Sequence, residues 1–514
     1  MDYNKRLDVF NPSTNQNLYY SKLRENPSYG SELPQDFTYD PGATRSIFEL
    51  GYVPSGSAIL GGTAFIILVV FLLTILFNKT KITLETIQKN VVIVSFILVS
   101  LGPIRLPGAF IFQTGLGLAK AGAVFGVITG LIAQRNMLWT LFSHNRSRTP
   151  LIVYISSLFV SALFITNPTF FVEDISLIIG GLIFYSAGYL APDAHMSSKK
   201  IISGIQATIL LPIGLIFLGF FLGTQTINLI GTLYPRYENI MFQFDMSRGR
   251  ILSIMDIEFF APILVYSLLT HGKVLWKYLT LSLLFIAVFF TNYRYRFITL
   301  ALGLYIQLVT LPKEYSSKIT RNLLGIFIVM FVLYNGMAIS TGRPTIVDRF
   351  LLKNYQTDVD SLQRRVVMAG QALEVFIQFP VFGVGLGNYK DNVQVVYESF
   401  GGRFYEPYYK ILQNVYAYPH NWFLLILAEG GVIGLVVVLW LLYTFYQTDK
   451  KLYRVLEGDE RNVFITLSLI TWLFVLANQF TPLNNSQPMV IFFWGFRGII
   501  DRIYYTYVES NPTH

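Results

Sequence analysis

Apolar residues along this chain come in unbroken blocks, without the i, i+3, i+4 spacing of an amphipathic soluble helix. Several blocks are long enough to cross a bilayer, which takes about 20 mostly apolar residues. The plainest are 57–77 and 201–222. The pattern predicts thirteen membrane segments: 57–77, 91–104, 109–134, 151–169, 175–191, 201–223, 257–270, 278–291, 297–311, 323–340, 421–446, 463–480 and 487–504. Between them lie short polar loops, a longer stretch at 224–255 and one large interruption at 341–420. The expected fold is therefore all-α: a polytopic membrane protein of about 12–13 helices with one large external loop region. Four parts are predicted. These are a polar, largely unstructured tail over 1–56, N-terminal transmembrane helices over 57–249, a second helical region over 250–504 that includes the loop 341–420, and a short C-terminal tail over 505–514.

Composition agrees. Charged residues are 13% of the chain against 53% hydrophobic, about half the ~25% charge of a soluble domain. A net charge of +9 does not argue for nucleic acid, because membrane proteins carry excess Lys and Arg in cytoplasmic loops. One alternating set of loops holds Lys79, Lys81, Lys89, Arg135, Lys199, Lys200, Lys450, Lys451 and Arg454, among others. That set is read as cytoplasmic, which puts 224–255 and 341–420 outside. Counting spans back from there leaves the N-terminal tail outside as well. The tail is too polar at its start for a cleavable signal peptide. The absence of cysteine excludes disulfides, thiolate metal sites and a cysteine nucleophile.

Positive charge on the external side breaks the topology rule, and it marks the candidate chemistry. Arg294 and Arg296 sit in "FFTNYRYRFITLALGL", a tight turn between two apolar segments. Arginines at membrane depth are costly and point to function; the alternative is a pair that snorkels to lipid headgroups. Arg364 and Arg365 follow in "SLQRRVVMAGQALEVF", where a solvated helix end is the bland reading. "GVGLGNY" supplies Gly383, Gly385 and Gly387, but without a βαβ unit or G-x-G-x-x-G spacing it is no dinucleotide fingerprint. Glycines here suit a sharp backbone turn. His420 and Asn421 then stand directly before a long apolar run, "AYPHNWFLLILAEGGVIGL". With Pro419 at a helix start, His420 is expected in the first turn, where the helix dipole and nearby arginines keep its ring neutral. A neutral imidazole can serve as a general base; the alternative is an interfacial histidine bonded to backbone. A lone histidine makes a poor metal site. Glu429, more than two turns further on, reads as structural.

"PVFGVGLGNY" followed by "PHNWFLLILAEGGVIGL" resembles the signature of the O-antigen ligase and polymerase superfamily. The family pattern runs Pro-x-x-Gly-x-Gly, an external loop, then His-Asn before a helix with Glu-x-Gly. Here it falls on Pro380, Gly383, Gly385, His420, Asn421, Glu429, Gly431 and Gly434. An upstream element, arginine with glycine nine residues on, aligns Arg294 with Gly303. Asn292, Tyr293 and Tyr295 stand where the family has small residues. A third family arginine falls on Arg365, with Arg364 next. The resemblance covers roughly 250–500.

The resemblance implies a bacterial inner-membrane glycosyltransferase with its active site on the external face. Its donor would be an undecaprenyl-diphosphate-linked glycan, and it would need neither cofactor nor metal. Expected partners are that donor, membrane lipids, a glycan acceptor and other polysaccharide-assembly proteins, with no nucleic acid. His420, Arg294 and Arg365 are implied as catalytic, with Arg296, Arg364, Asn421, Gly383 and Gly385 binding substrate. Guanidinium groups hold diphosphate oxygens in a fork and stabilise the leaving charge. His420 would take the acceptor hydroxyl's proton, and direct displacement would invert the anomeric centre. Loosened motifs favour a polymerase of O-antigen or exopolysaccharide repeats over a ligase that moves finished glycan to lipid A core. A transporter would show ionisable residues or broken helices at the midplane, where only Lys120 and Glu429 qualify.

Overall fold

The computed structural model describes residues 83–101, 115–133, 146–161, 163, 168–222, 256–269, 274–291, 293–311, 313–340, 345–350, 355–389, 392, 419–480 and 486–510. The N-terminal tail, the segment 57–77 and the loop 224–255 lie outside them.

Among the described residues the chain is helical throughout and forms no strand. The helices are α1 (Leu84–Ser100), α2 (Gly115–Ala133), α3 (Arg148–Ser161), α4 (Pro168–Tyr189), α5 (Ala194–Thr208), α6 (Leu210–Leu222), α7 (Ala261–Leu269), α8 (Val274–Thr291), α9 (Arg294–Thr310), α10 (Lys313–Ser340), α11 (Ile346–Phe350), α12 (Tyr355–Gln378), α13 (Trp422–Val455), α14 (Gly458–Ala477) and α15 (Gln487–Tyr504). Five helical stretches are long and apolar enough to cross a bilayer: Leu116–Ala133, Ala194–Leu218, Ser316–Ser340, Trp422–Val455 and Gly458–Ala477. Each predicted segment from 91–104 onward overlaps a described helix. This is a multi-pass, all-α membrane protein.

Helices approach closely where side chains are small, since lipid offers no hydrophobic drive between them. Gly122, Gly126 and Gly130 line one face of α2 against Ser95, Val92 and Gln88 of α1. A Cβ on Gly498 of α15 would collide with the Tyr185 carbonyl of α4. The α4–α15 pair anchors an aromatic core that includes Phe96, Phe184, Phe493 and Phe496.

Three contacts fix which helix ends meet. Gln307 lies 3.5 Å from Thr466 Oγ1, and a Cβ on Gly303 would press to 2.8 Å from Leu473, so α9 and α14 run antiparallel. The Trp422 amide donates to the Asn478 carbonyl at 2.9 Å. The starts of α9 and α13 and the end of α14 therefore share one end of the bundle.

Candidate functional site

At that shared end stand Arg294, Arg365 and His420. Arg294 is the first residue of α9, and α8 ends at Thr291; the expected turn falls partly outside the described residues. Arg365 lies exposed on α12. His420 falls two residues before the helix and so outside the first turn expected for it. Asn421 is the helix cap: its side-chain oxygen accepts from the Leu424 amide at 3.0 Å, and the helix proper begins at Trp422. His420 is thus outside the first turn because the asparagine, not the proline, starts the helix.

The ring of His420 is half-buried, and its pKa is lowered to about 4, first by burial and then by the positive charge of Arg365. The expected neutrality therefore holds, but burial is its main cause where the helix dipole was expected. It also shows that Arg365 and His420 are electrostatic neighbours.

Arg365 is carried to His420 by a splice between α12 and α13. Within α13, Gly431 has φ 62° and ψ −162°, and the helix breaks there. The turn after α12 fills the break. Val432 N–H donates to Pro380 O at 2.9 Å, and Ile433 N–H to Val381 O at 3.3 Å. In return Val384 N–H and Gly385 N–H donate to Ala428 O at 3.0 Å and Glu429 O at 2.8 Å. Backbone groups freed by a break in a membrane helix need such partners. Gly383 (φ 67°) and Gly431 interlock so closely that a Cβ on either would collide with the other strand's backbone. Glu429 is buried and accepts from the Gly387 amide at 3.1 Å, in keeping with its structural reading. Ala372 and Val375 of α12 pack with Leu425 and Ala428 of α13 beside the splice.

These contacts give several of the predicted ligand-binding residues structural partners. Gly383 and Gly385 are buried; the Gly383 amide donates to Phe379 O within its own turn, and the Gly385 amide crosses to Glu429 O of α13. Asn421 caps a helix. Arg296 is 4% exposed, with Nη2 2.7 Å from Asp256 and Nε 3.1 Å from the Tyr295 hydroxyl. It is locked in an internal ion pair and is turned away from any surface. Arg364 lies on α12, where its side chain is outside the description. Asp256 and Glu258 went unweighed in the sequence, although "SIMDIEFFAP" sets two acids at the mouth of an apolar segment, a visible sign of a buried pair.

A largely apolar cleft opens between α3, α4, α13 and α15. Tyr154, Asp174, Trp422, Glu429 and Trp494 are among its walls. Among the described residues no group of three or more His, Cys, Asp or Glu could hold a metal ion. Lys120 packs beside Gly180 of α4, on the α2–α4 contact and not at the site.

Residues 279–439 match the O-antigen ligase family. That span runs from α8 through the first half of α13 and contains Arg294, Arg365, the glycine splice and His420. No curated protein matches the chain. Together with the multi-pass helical fold, the match over residues 279–439 supports a membrane glycan-processing function.

Proposed function

We propose that the protein is an inverting glycosyltransferase that polymerises lipid-diphosphate-linked oligosaccharide on the outer face of the bacterial inner membrane. The observation that carries this reading is the pairing of a neutral histidine with an arginine at one end of the bundle. A histidine kept for stability gains from a carboxylate neighbour; His420 has a guanidinium beside it and is held deprotonated. Such a group is suited to accept a proton from an acceptor hydroxyl. Arg365 and Arg294 would hold the donor's diphosphate and stabilise its charge as it leaves. The apolar cleft along α13 offers walls for the donor's lipid chain, and neither cofactor nor metal is required. Bond-making is between the acceptor oxygen and the anomeric carbon. Bond-breaking is between that carbon and the diphosphate oxygen, with the proton going to His420 Nε2 or Nδ1.

A second reading is a ligase that transfers finished glycan to lipid A core or another acceptor, favoured by the description of the matching family. A transporter is disfavoured by the splice. Broken helices that bind cargo leave their half-helix ends open, whereas here the chain's own turn takes them up. Glycan analysis of a deletion strain separates the readings. Loss of polymer with single repeats still on the final acceptor means polymerase. Polymer stranded on its lipid carrier means ligase, and unchanged glycan removes both.

A further inference from the structure

The sequence departs from its family's pattern around Arg294, with tyrosines at 293 and 295 where small residues are usual. The structure gives both rings work. Tyr295 donates its hydroxyl to Asp256 Oδ1 at 2.9 Å and accepts from Arg296 Nε at 3.1 Å. The Arg296 guanidinium also lies 5.3 Å from the Tyr293 ring centroid and 5.8 Å from that of Tyr295. Its Nη2 bonds Asp256 at 2.7 Å, and Glu258 stands 3.7 Å from its Nε. Asp256 and Glu258 come from a separate element, the 3₁₀ turn Ile257–Phe260 and its cap. Arg294 is therefore bracketed on both sides by residues tied to one buried guanidinium. Two arginines in the first turn of a helix oppose its dipole, and the acids of the 3₁₀ turn offset that cost while pinning the turn in place.

We infer that Arg296, with Asp256, Tyr293 and Tyr295, is a positioning set that fixes the first turn of α9 so that Arg294 meets the donor's diphosphate in one orientation. The inference rests on the proposed role of Arg294 as a diphosphate ligand. It makes Arg296 a residue that acts through its neighbour and never touches substrate. It also gives the two tyrosines a role where small residues are usual: both rings lie beside the Arg296 guanidinium.

A double-mutant cycle on the full-length purified chain tests this, with undecaprenyl diphosphate as the binding probe. Arg296→Gln and Asp256→Asn should each weaken binding by about tenfold, within the range of coupled neighbours. In an Arg294→Ala background the same changes should have no further effect, because the group they position is gone. Thermal stability should drop equally in both backgrounds, so it cannot mimic the coupling. Should Arg296→Gln fail to accumulate, Tyr295→Phe removes one hydroxyl and carries the same cycle. Equal weakening in both backgrounds, or none in the wild-type background, overturns the inference. Unchanged binding in Arg294→Ala alone overturns instead the reading of Arg294 on which it rests.

Discussion

Helix α13 carries a charged cluster near each end, and the two are built on opposite plans. Near its far end Asp449 meets Arg497 of α15, whose Nη1 reaches both carboxylate oxygens at 2.8 and 2.9 Å. The same carboxylate accepts from Ser468 and from the Trp472 ring N–H, each at 2.7 Å. Asp501, 3.9 Å from Arg497, takes the Tyr185 hydroxyl at 2.6 Å. This cluster is buried, its charges are opposed in sign, and both oxygens of Asp449 are held by donors from α14 and α15. At the near end, before Trp422, the neighbours His420 and Arg365 carry the same sign when both are protonated. Opposite charges that satisfy one another serve the fold. A neutral imidazole kept near a guanidinium gains no ion pair, and that placement is the one the proposed chemistry would use. The same comparison separates Arg296, which is paired and buried, from Arg365, which is exposed.

Removing the base should produce the largest effect. His420→Ala leaves the Asn421 cap and the glycine splice in place, so the chain should fold and still bind lipid-linked donor. Its single-turnover transfer rate in detergent should fall by about 10²–10⁴-fold, the range for positioned proton transfer. His420→Gln, with no titrating nitrogen, should fail to the same degree. A glutamine variant with near wild-type rate would mean that the near cluster only orients the acceptor.

Breaking the buried cluster should do the reverse. Arg497→Met leaves Asp449 buried beside Asp501 without its guanidinium, and loss of one partner from a buried pair costs about 3–5 kcal/mol. Thermal unfolding in detergent should come at a markedly lower temperature, while the fraction that remains folded transfers at the wild-type rate. A folded variant with intact stability and lost transfer would move the far cluster from the fold to the chemistry.

Much of this was legible in the sequence, for identifiable reasons. Unbroken apolar blocks give helices wherever they occur, because the bilayer leaves backbone groups no other partner, and the block boundaries at 487–504 coincide with α15. His420, Arg294 and Arg365 stood out because charge is scarce in such a chain. The break at Gly431 did not, since an apolar run containing glycines reads as continuous helix; only the contact with Val381 and Gly383 requires its left-handed backbone. Arg296 was taken for a ligand because its acids lie about 40 positions upstream, across a helix and a turn, where local spacing carries no signal. Asp449, Arg497 and Asp501 were passed over for the same reason: their partners are assembled by packing and not by adjacency.

The smallest effect, and the sharpest probe of the near cluster, is a shift in pH dependence. A base acts in its neutral form, so transfer should rise with pH, be half-maximal near the His420 pKa of about 4 and stay level across roughly pH 6 to 8. Burial, the larger cause of the lowered pKa, stays when Arg365 is changed; the Coulombic push does not. In Arg365→Gln the folded-state pKa should therefore climb part of the way back toward its ordinary value of ~6.5. The inflection moves up in pH, and transfer is lost first on the acid side. The ceiling of the curve should fall as well, because Arg365 is also proposed to hold the diphosphate, so the readout is the position of the inflection and not the rate at any one pH. Arg365→Lys keeps the charge and should keep the inflection while it lowers the ceiling, since a point charge cannot reproduce the guanidinium fork. An inflection that stays put in Arg365→Gln would show that the titrating group is not His420, and the contrast between the two clusters would then lose its catalytic meaning.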